Sequence, residues 1–133
     1  MSPEIIARKL GLMNNYLNDL RPYASIDFVH FMEDHYKIER LIELLMMAAA
    51  DTAFHLLSMR GEAAPGSYRA AFLRLGELQV LDEELCKNLA LGAGLRNILI
   101  HEYEAVDYKL LWKSIPQIVK DLHSFMQVVS EQT

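Results

Sequence analysis

The stretch from Ser25 to Arg60, SIDFVHFMEDHYKIERLIELLMMAAADTAFHLLSMR, decides the fold. It holds neither glycine nor proline. Phe28, Phe31, Met32, Ile38, Leu41, Ile42, Leu45, Met46, Ala49, Ala53 and Leu56 recur at helical spacing and form one apolar stripe. Glu33, Glu39, Arg40 and Glu43 read as lying largely off that stripe. One long helix with a buried face is expected, with a bend near Asp34 and His35 but no clear division. Gly61 is its natural stop, because a left-handed residue closes a helix C-terminus most cheaply when it is glycine. The richest apolar portion, Leu41 to Leu57, is interrupted by Glu43 and Asp51 and is too short to cross a bilayer. A buried core helix, and no membrane partner, is the reading.

Punctuation on either side divides the rest into helices. Ser2 and Pro3 open a first helix that runs to about Leu20, where Arg21-Pro22 stops it. Glu62 to Gly66 is a loop. Ser67 caps a short helix through about Leu75, ended by Gly76. Asp82 starts the next, with Glu83 and Glu84 near its positive end, and this helix continues through Leu99 towards His101. Gly92 and Gly94 lie inside it, each costing up to ~1 kcal/mol relative to alanine, which suggests close approach of another helix or of a ligand. Asp107 caps a short turn holding Leu110, Leu111 and Trp112. Ser114-Ile115-Pro116-Gln117 has the form of a capping box and opens the last helix, with Ile118, Val119, Leu122, Phe125, Met126 and Val129. No strand pattern interrupts the series. The expected fold is all-α, an antiparallel up-and-down helical bundle formed by one domain over residues 1–133.

Composition narrows the function classes. The chain has 133 residues, 52% of them hydrophobic, and a formal net charge of −5. Proteins that coat nucleic acid carry a broad basic face, so DNA binding is not expected and any RNA site must be a local basic patch. Cys86 is the only cysteine. It forms no intrachain disulfide and reads as a buried, neutral thiol suited to a reducing, cytoplasmic setting. The N-terminal residues lack the apolar run of a signal peptide. No compact Cys/His cluster or His-Glu-x-x-His pattern marks a metal site, and no cofactor is expected.

The chemistry concentrates in Gly94-Leu95-Arg96-Asn97-Ile98-Leu99-Ile100-His101-Glu102-Tyr103. Arginine offers a permanently charged planar fork for phosphate oxygens. Histidine takes or gives a proton near neutrality. These two suffice for RNA cleavage, since the RNA's own 2′-hydroxyl is the nucleophile. Residues five apart on a straight helix differ by roughly 140° and ~7.5 Å, so Arg96 and His101 do not share a face. Either the helix frays just before Glu102, or a second subunit supplies the matching group across a two-fold axis. The second route is favoured.

Arg96-Asn97-x-x-x-His101-x-Tyr103 resembles the R-x4-H-x-Y motif of HepT toxins, a branch of the HEPN helical-domain superfamily. The likeness extends over nearly the whole chain, including Glu39-Arg40-Leu41, the Asp51 and His55 pair, and the segment from Tyr68 to Leu81. It implies a homodimeric helical bundle with the motif in a cleft between subunits. It further implies a metal-independent endoribonuclease, the toxin of a type II toxin–antitoxin pair. By the same resemblance Arg96 and His101 match the catalytic pair, and Asn97 and Asp51 match residues that bind or orient substrate. Tyr103 matches the tyrosine that a minimal nucleotidyltransferase antitoxin of the MntA kind adenylylates. Asp51-Thr52-Ala53-Phe54-His55 departs from the family's Asp-Ile-x-x-His run, which weakens a catalytic part for Asp51.

Plainer readings stand beside these. Arg96 can pair with Glu102 or Glu104, His101 can cap the helix C-terminus, and Tyr103 can cover the bundle end. Asp51 and His55, one turn apart, are expected to hydrogen-bond and fix helix packing. His30 and Asp34 have the same spacing and read as solvent-facing. The alternative function is a non-catalytic nucleotide- or partner-binding subunit of a nucleotidyltransferase complex.

Overall fold

A computed structural model describes residues 3–132. Six α-helices account for most of them: α1 (Pro3–Leu20), α2 (Phe28–Glu33), α3 (His35–Met59), α4 (Tyr68–Glu77), α5 (Glu83–His101) and α6 (Tyr108–Glu131). Short 3-10 turns at Arg21–Ser25 and Tyr103–Ala105 follow α1 and α5. Among the described residues there is no strand. Ser2, expected to open the first helix, lies outside them.

The four long helices alternate in direction. Thr52 of α3 reaches Met13 of α1, so the middle of α1 packs on the second half of α3. Asn88 of α5 donates to Asp121 of α6. His35 and Arg60, at the two ends of α3, meet Tyr108 and Gln132 at the two ends of α6, so these two run the same way. The result is an all-α, up-and-down bundle, with the short α4 laid alongside α5 and against α3. Phe31, Ile38, Ile42, Leu45, Ala49 and Ala53 are wholly buried, as the stripe predicts. The α3 helix is long and apolar enough to cross a membrane, but most of that stretch is buried inside the bundle, so its apolarity serves the core.

Three local expectations change. The long central element divides at Asp34, whose φ of −116° and ψ of 16° leave the α region; its carboxylate accepts from the Tyr23 hydroxyl at 2.9 Å instead of pairing with His30. Glu39, read as lying off the apolar stripe, is only 4% exposed, because its partner His35 one turn earlier draws it inward. Ser114 does not open a helix. Its hydroxyl donates to the Leu110 carbonyl, and α6 runs unbroken through Pro116 from its cap at Asp107. An amphipathic face that buries Leu111, Ile115, Leu122, Phe125 and Val129 outweighs one lost backbone bond.

Glycines also divide by role. Gly61, at φ +74°, closes α3 with paired bonds from Gly61 and Glu62 nitrogens to the Ser58 and Leu57 carbonyls. Gly76 was expected to stop α4, yet the helix passes through it and the left-handed residue is Gln79, at φ 60°. What Gly76 provides is space: a Cβ there would lie 2.9 Å from Cys86 Cβ, across the α4–α5 contact. Gly92 similarly admits the Met46 side chain, whereas Gly94 faces open space. Gly76→Ala is therefore expected to destabilise the protein by about 1–3 kcal/mol through overpacking. Gly94→Ala is expected to leave it unchanged or stabilise it by up to ~1 kcal/mol. Urea unfolding of both variants tests this, and equal effects would contradict the packing assigned to Gly76.

Candidate functional site

The α5 helix is built to carry its last turns without distortion. Asp82 caps it by accepting from the Leu85 nitrogen at 2.8 Å, and Leu85, Leu89, Ala93 and Leu99 bury its inner side. The backbone bond from Glu102 nitrogen to Ile98 oxygen, 3.0 Å, remains intact at the far end. Fraying before Glu102 is thus removed as a way of bringing Arg96 and His101 together. Among the described residues no hydrogen bond or ion pair joins those two side chains.

Arg96 is half-buried and among the described residues has no carboxylate partner; the plainer reading, a pair with Glu102 or Glu104, is not formed there. Its guanidinium carbon instead sits 4.8 Å from the ring centre of Tyr68, the first residue of α4. Ser67 fixes that turn by accepting from the Ala70 nitrogen, and Phe54 of α3 meets the Tyr68 ring edge-on at 6.2 Å. Arg96 Nε is buried and unpartnered. An aromatic face steadies a cation without neutralising it, so the outer guanidinium nitrogens keep their charge and donors for an anion. Sequence reading passed over Tyr68 except as part of a segment, because a stacking partner on another helix leaves no local spacing signal. Asn97 is exposed beside Arg96.

His101, the final residue of α5, is exposed and opens on a recess of about 490 Å³ lined by His101, Glu102, Tyr103, Glu104 and Ala105. Tyr103 is 43% exposed. Its hydroxyl lies 3.3 Å from that of Tyr108, and Tyr36 of α3 also engages it. The Tyr108 contact, opposed by Tyr36 and aided by burial and then by the Glu39 charge, holds the Tyr103 phenol above the ordinary tyrosine value, so it is a neutral hydroxyl around neutrality. These aromatic neighbours come from the starts of α3 and α6 and were not legible from the motif alone.

Asp51 occupies a different place. With His55, Lys9, Phe54 and Ser58 it lines a second recess of about 580 Å³ between α1, α3 and the loop after α3. Burial, aided by the Lys9 charge and opposed by Asp51, lowers the His55 pKa below the usual histidine value. Phe54, which lines that recess, meets the Tyr68 ring on which Arg96 stacks, and none of the recess's lining residues is shared with the recess at His101. Cys86 is buried, its thiol donating to the Phe72 carbonyl and its pKa pushed up by desolvation, as expected of an inert thiol. Among the described residues no cluster of three or more His, Cys, Asp or Glu side chains is arranged to hold a metal ion.

Comparison with known proteins gives a consistent picture. A family model described as ribonuclease HepT-like matches residues 13–129. The tRNA nuclease HepT of Aphanizomenon flos-aquae is 32% identical over 99% of this chain and 97% of its own. The mRNA nuclease HepT of Shewanella oneidensis is 26% identical over 64% of each chain. Among solved structures, the tri-AMPylated Shewanella oneidensis HEPN toxin, in complex with an MNT antitoxin, superposes with a TM-score of 0.87, covering 98% of this chain and 99% of that one at 22% identity. The cytosolic protein YutE of Bacillus subtilis, whose function is unknown, superposes at 0.81, covering 96% and 87% at 20% identity.

Proposed function

The chain belongs to the HepT-like ribonuclease family, and from that premise we propose that it is the toxin of a toxin–antitoxin pair, an endoribonuclease acting as a homodimer. The observation that carries this reading is Arg96, a cation with no ion-pair partner among the described residues and held on an aromatic face, five residues before an exposed histidine on the same helix.

The chemistry follows from those groups. Arg96 holds a phosphodiester by its fork of N–H donors. His101 takes the proton of the 2′-hydroxyl or protonates the departing 5′-oxygen. The O2′–P bond forms as the P–O5′ bond breaks, leaving a 2′,3′-cyclic phosphate and a 5′-hydroxyl. Asn97, beside Arg96, orients the substrate, and Asp51 binds or orients it from the recess it lines with His55. Because the nucleophile belongs to the RNA, the reaction requires no metal-bound water.

A second subunit explains how groups 140° apart act at one phosphate. Leu91, Gly94 and Ile98 share the outer face of α5; Leu91 is 72% exposed and Gly94 faces open space. Exposed apolar surface of this kind suits contact with a second copy, and the reading requires that contact to bring Arg96 of one subunit to His101 of the other.

Tyr103 is the switch. A nucleotidyltransferase antitoxin would attach an adenylyl group there: the Tyr103 oxygen attacks the α-phosphorus of ATP, pyrophosphate leaves and the phenol proton is released. The negative phosphate then stands beside His101 and repels RNA. Incubation of the purified protein with single-stranded RNA in the presence of a metal chelator tests the activity. Fragments ending in 2′,3′-cyclic phosphate are expected; intact RNA at high enzyme concentration would overturn the reading.

A further inference from the structure

Glu39 is a buried carboxylate that the bundle satisfies only in part. Only 4% of the residue is exposed. One carboxylate oxygen accepts from His35 Nδ1 at 2.8 Å, while the other, Oε1, is buried with no hydrogen-bond partner. Leaving a buried carboxylate oxygen unsatisfied costs stability, and such a group in a native fold calls for a reason.

The reason lies on the other side of the imidazole. The His35 ring packs against Tyr36 at 4.0 Å between centroids and meets Tyr108 nearly edge-on at 4.8 Å. The Tyr108 hydroxyl lies 3.3 Å from that of Tyr103, and the Tyr36 phenol, its pKa raised chiefly by Tyr103, is close enough to interact with it. One histidine thus sits between the two rings that flank the Tyr103 hydroxyl, and Glu39 fixes the histidine.

We propose that Glu39 and His35 are positioning residues for the modification of Tyr103: the carboxylate locks the imidazole, the imidazole sets the spacing of Tyr36 and Tyr108, and their hydroxyls aim the Tyr103 oxygen at the incoming α-phosphorus. The proposal rests on the reading of Tyr103 as the adenylylated residue. Aligning a nucleophile before attack lowers the barrier of the transfer step itself. Glu39 also acts electrostatically, because its charge contributes to the raised Tyr103 pKa.

The test uses the full chain with its nucleotidyltransferase and ATP, following adenylyl addition by intact-protein mass spectrometry. Glu39→Gln and His35→Phe are each expected to slow addition roughly tenfold in kcat, with KM for ATP unchanged. Glu39→Gln should not lower the melting temperature, since it removes a buried charge lacking full compensation; a purely structural role predicts the reverse. The titration of Tyr103, read from the ring-carbon NMR signal and identified with Tyr103→Phe, should move to lower pH in Glu39→Gln. His35→Phe combined with Glu39→Leu keeps the ring packing and leaves no buried carboxylate unpaired, so it tests the same link if Glu39→Gln folds poorly. Wild-type rates in both variants, or a rate loss that tracks a fall in melting temperature, would overturn the proposal alone. Absence of any adenylyl group on Tyr103 in the wild-type protein would overturn the modification reading with it.

Discussion

His101→Ala is expected to reduce RNA cleavage by about a hundred- to ten-thousand-fold, the range a positioned general acid–base group supplies. The side chain is exposed at the end of a helix and has no packing duty in the core, so the melting temperature should stay within a degree or two of wild type. Activity and stability therefore separate cleanly at this position. Retention of more than a tenth of the wild-type rate would remove His101 from the reaction. The variant should also still be adenylylated at Tyr103, because the loss concerns proton transfer to RNA and leaves the neighbouring phenol in place. A mixed dimer of His101→Ala and Arg96→Ala subunits adds a geometric test. If each site draws Arg96 from one copy and His101 from the other, such a dimer retains one intact site and about half the activity.

Arg96→Ala is expected to cost about a hundred- to a thousand-fold in kcat, comparable to removing a donor that meets charge in the transition state. Arg96→Lys should recover little of it, since an ammonium keeps the charge but neither the planar fork nor the stack on Tyr68. The Tyr68 ring separates the two contributions. Tyr68→Phe preserves the face beneath the guanidinium and is expected to cleave at close to the wild-type rate. Tyr68→Leu releases the arginine and is expected to lose roughly tenfold. Equal losses in Phe and Leu variants would mean that the hydroxyl, not the ring face, carries the effect. Full activity in Tyr68→Leu would show that Arg96 needs no platform.

A histidine and an arginine five residues apart illustrate where linear reading ends. Local chemistry acts over one turn or less, so capping, apolar periodicity and the residue types near the end of α5 were all legible in the chain: Ser67, Asp82 and Asp107 each cap where spacing predicts, and the stripe from Phe31 to Leu56 is the core. Those signals specify an all-helical bundle and name the motif. Tertiary packing decided everything that joins separate helices. It placed Tyr68 under Arg96, it converted Gly76 from a stop signal into a contact with Cys86, and it carried α6 through Pro116 because a buried face outweighs one missing hydrogen bond. It also drew Glu39 inside and gathered Tyr36, Tyr103 and Tyr108 from three elements. Contacts between residues far apart in sequence depend on how whole helices lie against one another, and no spacing within a single helix encodes that arrangement.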